Sequence, residues 1–169
     1  MSLAVAQSAS EMPEYIGNFV AKSPSGVVQL ERLPSKADNR VSLLGATFGV
    51  GRSNVGVAFN GERSPVRFRS DQTIEFYLRV GSQAIDPTTL VQFVRAKSEK
   101  GKRRVELGIV SNLTLQDEST LNSSAVPFSA KKVGTEFFVI RPSSPLPPGE
   151  YVLSTTDQND GFLFGIDTE

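Results

Sequence analysis

The sequence predicts an all-β protein closed as an immunoglobulin-like antiparallel β-sandwich, with a small β-barrel as the alternative closure. Three observations predict it. Apolar residues recur at period two, with Ile74, Phe76, Leu78 and Val80 alternating with Thr73, Glu75, Tyr77 and Arg79. Turn signals built on Gly, Pro, Ser and Asp separate the runs at short intervals. No run of helical length carries an apolar stripe at a spacing of about 3.6 residues.

Taken in order, Tyr15–Ala21 and Val27–Leu33 read as strands joined by the turn Ser23-Pro24-Ser25-Gly26. From Pro34 to Arg63 the glycines 45, 49, 51, 56 and 61 interrupt short strands at Val41–Leu44 and Val55–Phe59, which predicts a glycine-rich mobile loop or an edge ribbon. Gly49-Val50-Gly51 lacks the third glycine and the lysine of a phosphate-cradling loop. Thr73–Val80 is the best-defined strand. Asp86-Pro87-Thr88-Thr89 predicts a single turn of helix, since Asp caps and Pro suits the first helical position. Leu90–Lys97 and Arg103–Val110 form a second hairpin across Glu99-Lys100-Gly101-Lys102. In Thr135–Arg141 the residues Phe137 and Val139 face one way while Phe138 and Ile140 face the other, as in a strand flanked on both sides. Phe162, Phe164 and Ile166 mark the last strand, for a total of nine or ten.

The 169 residues fit one domain, assigned to 13–169, which would bury roughly 70% of the surface of its unfolded chain. Residues 1–12 read as a disordered tail, as an added start or as what remains of a signal peptide, since Ala4-Val5-Ala6 has the small-x-small form of a cleavage site. No window approaches the roughly 20 apolar residues of a membrane-spanning helix, so the chain is not expected to span a membrane.

Composition narrows the chemistry. Histidine, cysteine and tryptophan are all absent, which removes the imidazole base, the thiolate nucleophile and the usual zinc, copper and haem ligands. Eighteen basic and eighteen acidic side chains cancel, so no net field steers the molecule to nucleic acid, which is not an expected partner. The absence of cysteine fits equally a reducing cytoplasm and a periplasmic or secreted bacterial protein that folds without oxidation.

Several groups of residues are candidates for chemistry. Paired carboxylates need neither histidine nor cysteine, and Glu75 and Glu106 both lie on polar strand faces; glycosidases set two such acids about 5–9 Å apart. Tyr77 shares the face of Glu75 and is the platform on which a sugar ring would stack. Asp157, Asn159 and Asp160 before Gly161 offer calcium the hard oxygens it selects, although the same residues make a strong hairpin turn, which is the expected reading; no other cofactor is expected. Ser129 and Lys132 have the Ser-x-x-Lys spacing of penicillin-recognising enzymes without the companion motifs. Lys97, Lys100, Lys102, Arg103 and Arg104 read as a solvated hairpin tip. Asn112 and Asn122 stand in glycosylation sequons.

Near the C-terminus Pro147-Pro148-Gly149-Glu150-Tyr151 turns the chain into a strand, with Gly149 and Tyr151 in structural roles and the Tyr151 hydroxyl placed to close a corner. With Phe162-Leu163-Phe164-Gly165-Ile166-Asp167, Ser64-Pro65-Val66-Arg67-Phe68 and the Lys100–Arg103 hairpin, that ending resembles a group of uncharacterised exported bacterial β-sandwich proteins. The resemblance runs from Tyr15 onward and implies the fold and the envelope, not an activity. A fainter similarity to small periplasmic copper-binding sandwiches lacks their histidines. The expectation is therefore a non-catalytic module of the bacterial envelope working by protein–protein contact, with a carbohydrate-binding or carbohydrate-hydrolysing domain using Tyr77, Glu75 and Glu106 as the alternative.

Overall fold

Alternating runs and tight turns assemble, in a computed structural model, into two antiparallel sheets that share one thick apolar centre. The structure describes residues 12–38, 40–41, 52–82, 84–111 and 124–168. Strand β1 is Phe19–Ser23, β2 Gly26–Gln29, β3 Glu31–Pro34, β4 Lys36–Ala37, β5 Arg40–Val41, β6 Arg52–Asn60 and β7 Arg67–Arg69. After β8 (Glu75–Arg79) comes one helical turn, α1 (Pro87–Leu90), then β9 (Val91–Glu99), β10 (Lys102–Ser111), β11 (Phe128–Val133), β12 (Phe137–Pro142), β13 (Gly149–Thr155) and β14 (Asp160–Asp167).

The smaller sheet has the order β11-β12-β8-β1-β2 and the larger the order β3-β14-β13-β9-β10-β6-β4, with β5 on β6 and β7 parallel to β14. A main core fills the space between the smaller sheet and β9-β13-β14, built from Phe19, Phe76, Leu78, Phe93, Tyr151, Leu153, Phe164 and their neighbours. Beyond β14 and β10 the larger sheet curls back until β3 approaches β6, and a second core of Phe59, Val94, Ala96, Val105, Val152 and Leu163 fills that nearly closed barrel. The strands β9, β13 and β14 are thus a wall covered on both faces. Their sequences show why: Phe93-Val94, Val152-Leu153 and Phe162-Leu163 place apolar side chains on both sides of the pleat. The sandwich and the barrel weighed as alternatives from the sequence each describe one half of the molecule.

Local chemistry explains the turns. Ser23 pairs with Gly26 and Glu99 with Lys102, so both expected hairpins have two-residue loops. In the second, Lys100 and Gly101 both have positive φ, 51° and 78°, the requirement of a type I′ turn whose twist matches the strands. Asp86 caps α1 by accepting from the Thr88 amide at 2.9 Å, and the hydrogen bond from the Thr88 hydroxyl, with the amide's adding to it, holds its carboxyl below the usual range.

Three expectations are corrected. Fourteen strands occur among the described residues rather than nine or ten, because pieces of two to four residues add to the larger sheet. Val27–Leu33 is two strands: the chain crosses from one sheet to the other at buried Leu30. Val55–Phe59 is the centre of a nine-residue strand lying inside the larger sheet, between β10 and β4. Gly56 permits that pairing, since a Cβ there would stand 2.5 Å from the Val105 carbonyl oxygen. Residues 39 and 42–51 of the loop or ribbon expected over 34–63, the Gly49-Val50-Gly51 motif, residues 1–11 of the tail expected over 1–12, and the sequons at Asn112 and Asn122 lie outside the described residues. Among the described residues, no helix is long and apolar enough to cross a membrane.

Candidate functional site

Tyr151 opens onto the main core, and its hydroxyl donates to the carbonyl of Pro147, four residues upstream, at 2.7 Å. The corner read from the sequence is therefore formed, and burial pushes the phenol up from its ordinary value. Gly149 leaves room for Arg95: a Cβ would meet its guanidinium at 2.9 Å, while Nη2 donates to the Pro148 carbonyl at 2.6 Å. Tyr151→Phe is expected to cost about 1 kcal/mol in urea unfolding, the net worth of one hydrogen bond plus the unpaired carbonyl it leaves.

Glu75 and Tyr77 lie together on the outer face of β8, since Phe76 and Leu78 between them enter the core. The Tyr77 hydroxyl donates to Glu75 Oε2 at 3.2 Å, and Arg141 Nε donates to Oε1 at 2.6 Å. Glu106 is on β10 in the other sheet, with Lys97 Nζ 3.7 Å from its carboxylate. Glu75 and Glu106 thus lie on different sheets, each beside a cation of its own.

Asp157 and Asn159 are exposed on the loop between β13 and β14, while Asp160 starts β14 and accepts from Arg32 Nε at 2.7 Å. A cation at Asp160 would have to displace that guanidinium. Ser129 and Lys132 both lie on β11, three residues apart, so they face opposite sides of the strand and form no dyad.

The basic run is a correction of greater weight. Lys100 and Lys102 are exposed as expected at the hairpin tip, but Arg103 is 0% and Arg104 3% exposed. Arg103 points into one end of the barrel, where Nη1 and Nη2 donate to Glu31 at 2.6 and 3.2 Å and where it also donates to the carbonyls of Gly61 and Asn60. Glu150 lies 3.9 Å away and accepts from the Ser64 amide at 2.9 Å and from Arg67 Nη1. Arg67 also reaches Asp167 at 2.6 Å, which Arg63 pairs from outside. These residues plug the barrel with a chain of charges, each with an opposite partner. Arg104 pairs instead with Asp38 at 3.2 Å.

Hydrogen bonding to Arg67 holds the Asp167 carboxyl below its ordinary value, with Arg63 adding to the effect, and Asp167 in turn raises Arg67. The native value lies below the unfolded one of about 3.9, so the stabilisation is complete above that value and is lost as pH falls through the native value. Asp167→Asn should therefore lower the melting temperature at neutral pH, and the gap to the natural protein should narrow as the melts are taken below about pH 4.

At the other end, among the described residues, the barrel wall is unpaired between β9 and β10. β9 pairs with β13 along its length, from Val91 opposite Thr155 to Ala96 opposite Glu150, but pairs with β10 only from Lys97–Arg104 to Glu99–Lys102. Past Arg104, β10 stays with β6 through a register shift between Glu106 and Gly108, and the two strands diverge. Ala125 rejoins β9 by a single bridge to Val94, and the Val126 amide donates to the Phe93 carbonyl at 2.8 Å. Between these lies a pocket of about 250 Å³ floored by Phe59, Val94, Val105 and Val152. Sequence reasoning missed this pocket and the plug. The signal for the pocket was the double-sided apolar pattern at Phe93-Val94 and Val152-Leu153; for the plug there was none, because the carboxylates beside Arg103, Glu150 and Glu31, are 47 and 72 residues away in the chain.

No family model, curated protein or solved structure matches this chain.

Proposed function

We propose that the chain is a non-catalytic binding module of the bacterial envelope that works by protein contact, presenting the free edge of β11 to an extended segment of its partner. One observation carries this reading. β11 is six residues long and pairs only with β12 among the described residues, leaving one row of backbone groups without a strand beside it. Its residues Ser129, Lys131, Lys132 and Val133 are exposed, and Val133 is one of three large apolar side chains standing out from the surface among the described residues, at 36% exposure. Lysines on an edge repel indiscriminate strand pairing and select an acidic partner strand. The envelope address rests on the resemblance carried by the Pro147–Tyr151 ending.

The test is affinity capture from an envelope extract with the natural protein and with K131E/K132E as bait. Both positions are exposed, so the variant should melt within a few degrees of the natural protein, while retention of the partner falls at least about tenfold. Equal retention by both baits would overturn the reading.

A further inference from the structure

We infer that the pocket between β9 and β10 is a binding site for a small uncharged molecule with an apolar body and one hydrogen-bonding group. This is independent of the β11 edge. The volume, about 250 Å³, exceeds the roughly 150 Å³ cavity that is known to take benzene, and so accommodates a substituted aromatic ring or a chain of about six to eight carbons.

The lining fixes the chemistry. The floor is formed by Phe59, Val94, Val105 and Val152, all buried, and among the described residues no charged side chain lines the pocket. A charged ligand group would lose its hydration there with nothing to replace it. Among the described lining residues the polar side chains are Gln92 and Ser154, cross-strand partners on β9 and β13, and the Ser154 hydroxyl donates to Gln92 Oε1 at 3.4 Å. That long contact leaves the Gln92 amide free to donate to, and the serine oxygen to accept from, a hydroxyl or carbonyl arriving at the mouth. An apolar enclosure with a few convergent polar groups is the form that small-molecule sites take.

The pocket is also a designed consequence of the strand pairing rather than a packing fault. It exists because β10 follows β6 through its bulge while β9 follows β13, and the bridge at Ala125 bounds the gap without filling it. The same opening reaches Val57 on β6 and Phe128 at the start of β11, so its walls come from both halves of the molecule.

The probe is p-cresol, an uncharged ring with one hydroxyl, with benzamidine as a charged ring of similar size, each titrated into protein carrying labelled valine methyls. The expected result is saturable shifts at Val94, Val105 and Val152 with p-cresol at a Kd of about 1 mM or below, and at least about tenfold weaker binding of benzamidine. Val94→Phe fills the floor and Ala125→Leu fills the mouth; either, if folded, should weaken p-cresol binding at least about tenfold. Ala125 is exposed, so its variant keeps the test decisive should Val94→Phe not fold. The inference is overturned by shifts that do not saturate, by equal binding of benzamidine, by unchanged binding in folded Ala125→Leu, or by contacts in the free protein showing these valines already covered by other residues of the chain.

Discussion

Replacing Arg103 by methionine is expected to lower the stability of the fold by about 3–5 kcal/mol, because it leaves the half-buried Glu31 carboxylate without its cation and takes one of two cations from beside buried Glu150. Arg103 is fully enclosed, Glu31 receives two of its N–H groups, and Glu150 stands 3.9 Å away with only 8% of its side chain exposed. The carbonyls of Asn60 and Gly61 lose their donors in the same step. The methionine fills most of the space, so the loss is one of charge pairing more than of volume. For that reason Arg103→Met/Glu31→Met should be more stable than Arg103→Met alone, since removing both partners also removes a stranded charge. Urea unfolding of the three proteins measures both expectations. A single variant within about 1 kcal/mol of the natural protein would show that Arg103 does not sit in the closed plug.

Phe164→Ala should cost about 3–5 kcal/mol by the same measurement, the range for removing a fully buried ring. Its ring lies 4.9 Å from that of Phe76, 5.5 Å from Tyr151 at 15° between planes, 5.9 Å from Phe68 and 6.1 Å from Phe93. The adjacent Leu163 is equally buried and faces the barrel, so Leu163→Ala should cost about 2–5 kcal/mol. In a two-layer sandwich, neighbours along a strand alternate between costly and cheap. Here both must be costly, because β14 is a wall between two cores. A small effect at Leu163 would mean that the larger sheet does not close over that face.

How far the sequence revealed this depends on whether each residue's surroundings are local. β8 was fully legible, since Phe76 and Leu78 entering the core and Glu75, Tyr77 and Arg79 staying out is the alternation itself. The two hairpins and the turn α1 were legible from Gly, Pro and Asp, whose constraints act within four residues. The crossing at Leu30 was not, because β2 and β3 have the same extended conformation and differ only in which sheet they join. Arg103 looked like any basic residue beside a turn; what buries it is Glu31 and Glu150, brought there by β3 and β13. The candidate acids fared likewise. Glu75 and Glu106 have the same local pattern, and only the strand order shows that they lie on different sheets.

The functional reading is tested most directly by photo-crosslinking in envelope extract, with a benzophenone residue placed at Ser129 on the edge strand and, as control, at Asp157 on the exposed β13–β14 loop. The account predicts one discrete crosslinked protein from position 129, lost at high salt and in K131E/K132E, and no such product from position 157. Identical products from both positions, or none from position 129, would contradict it.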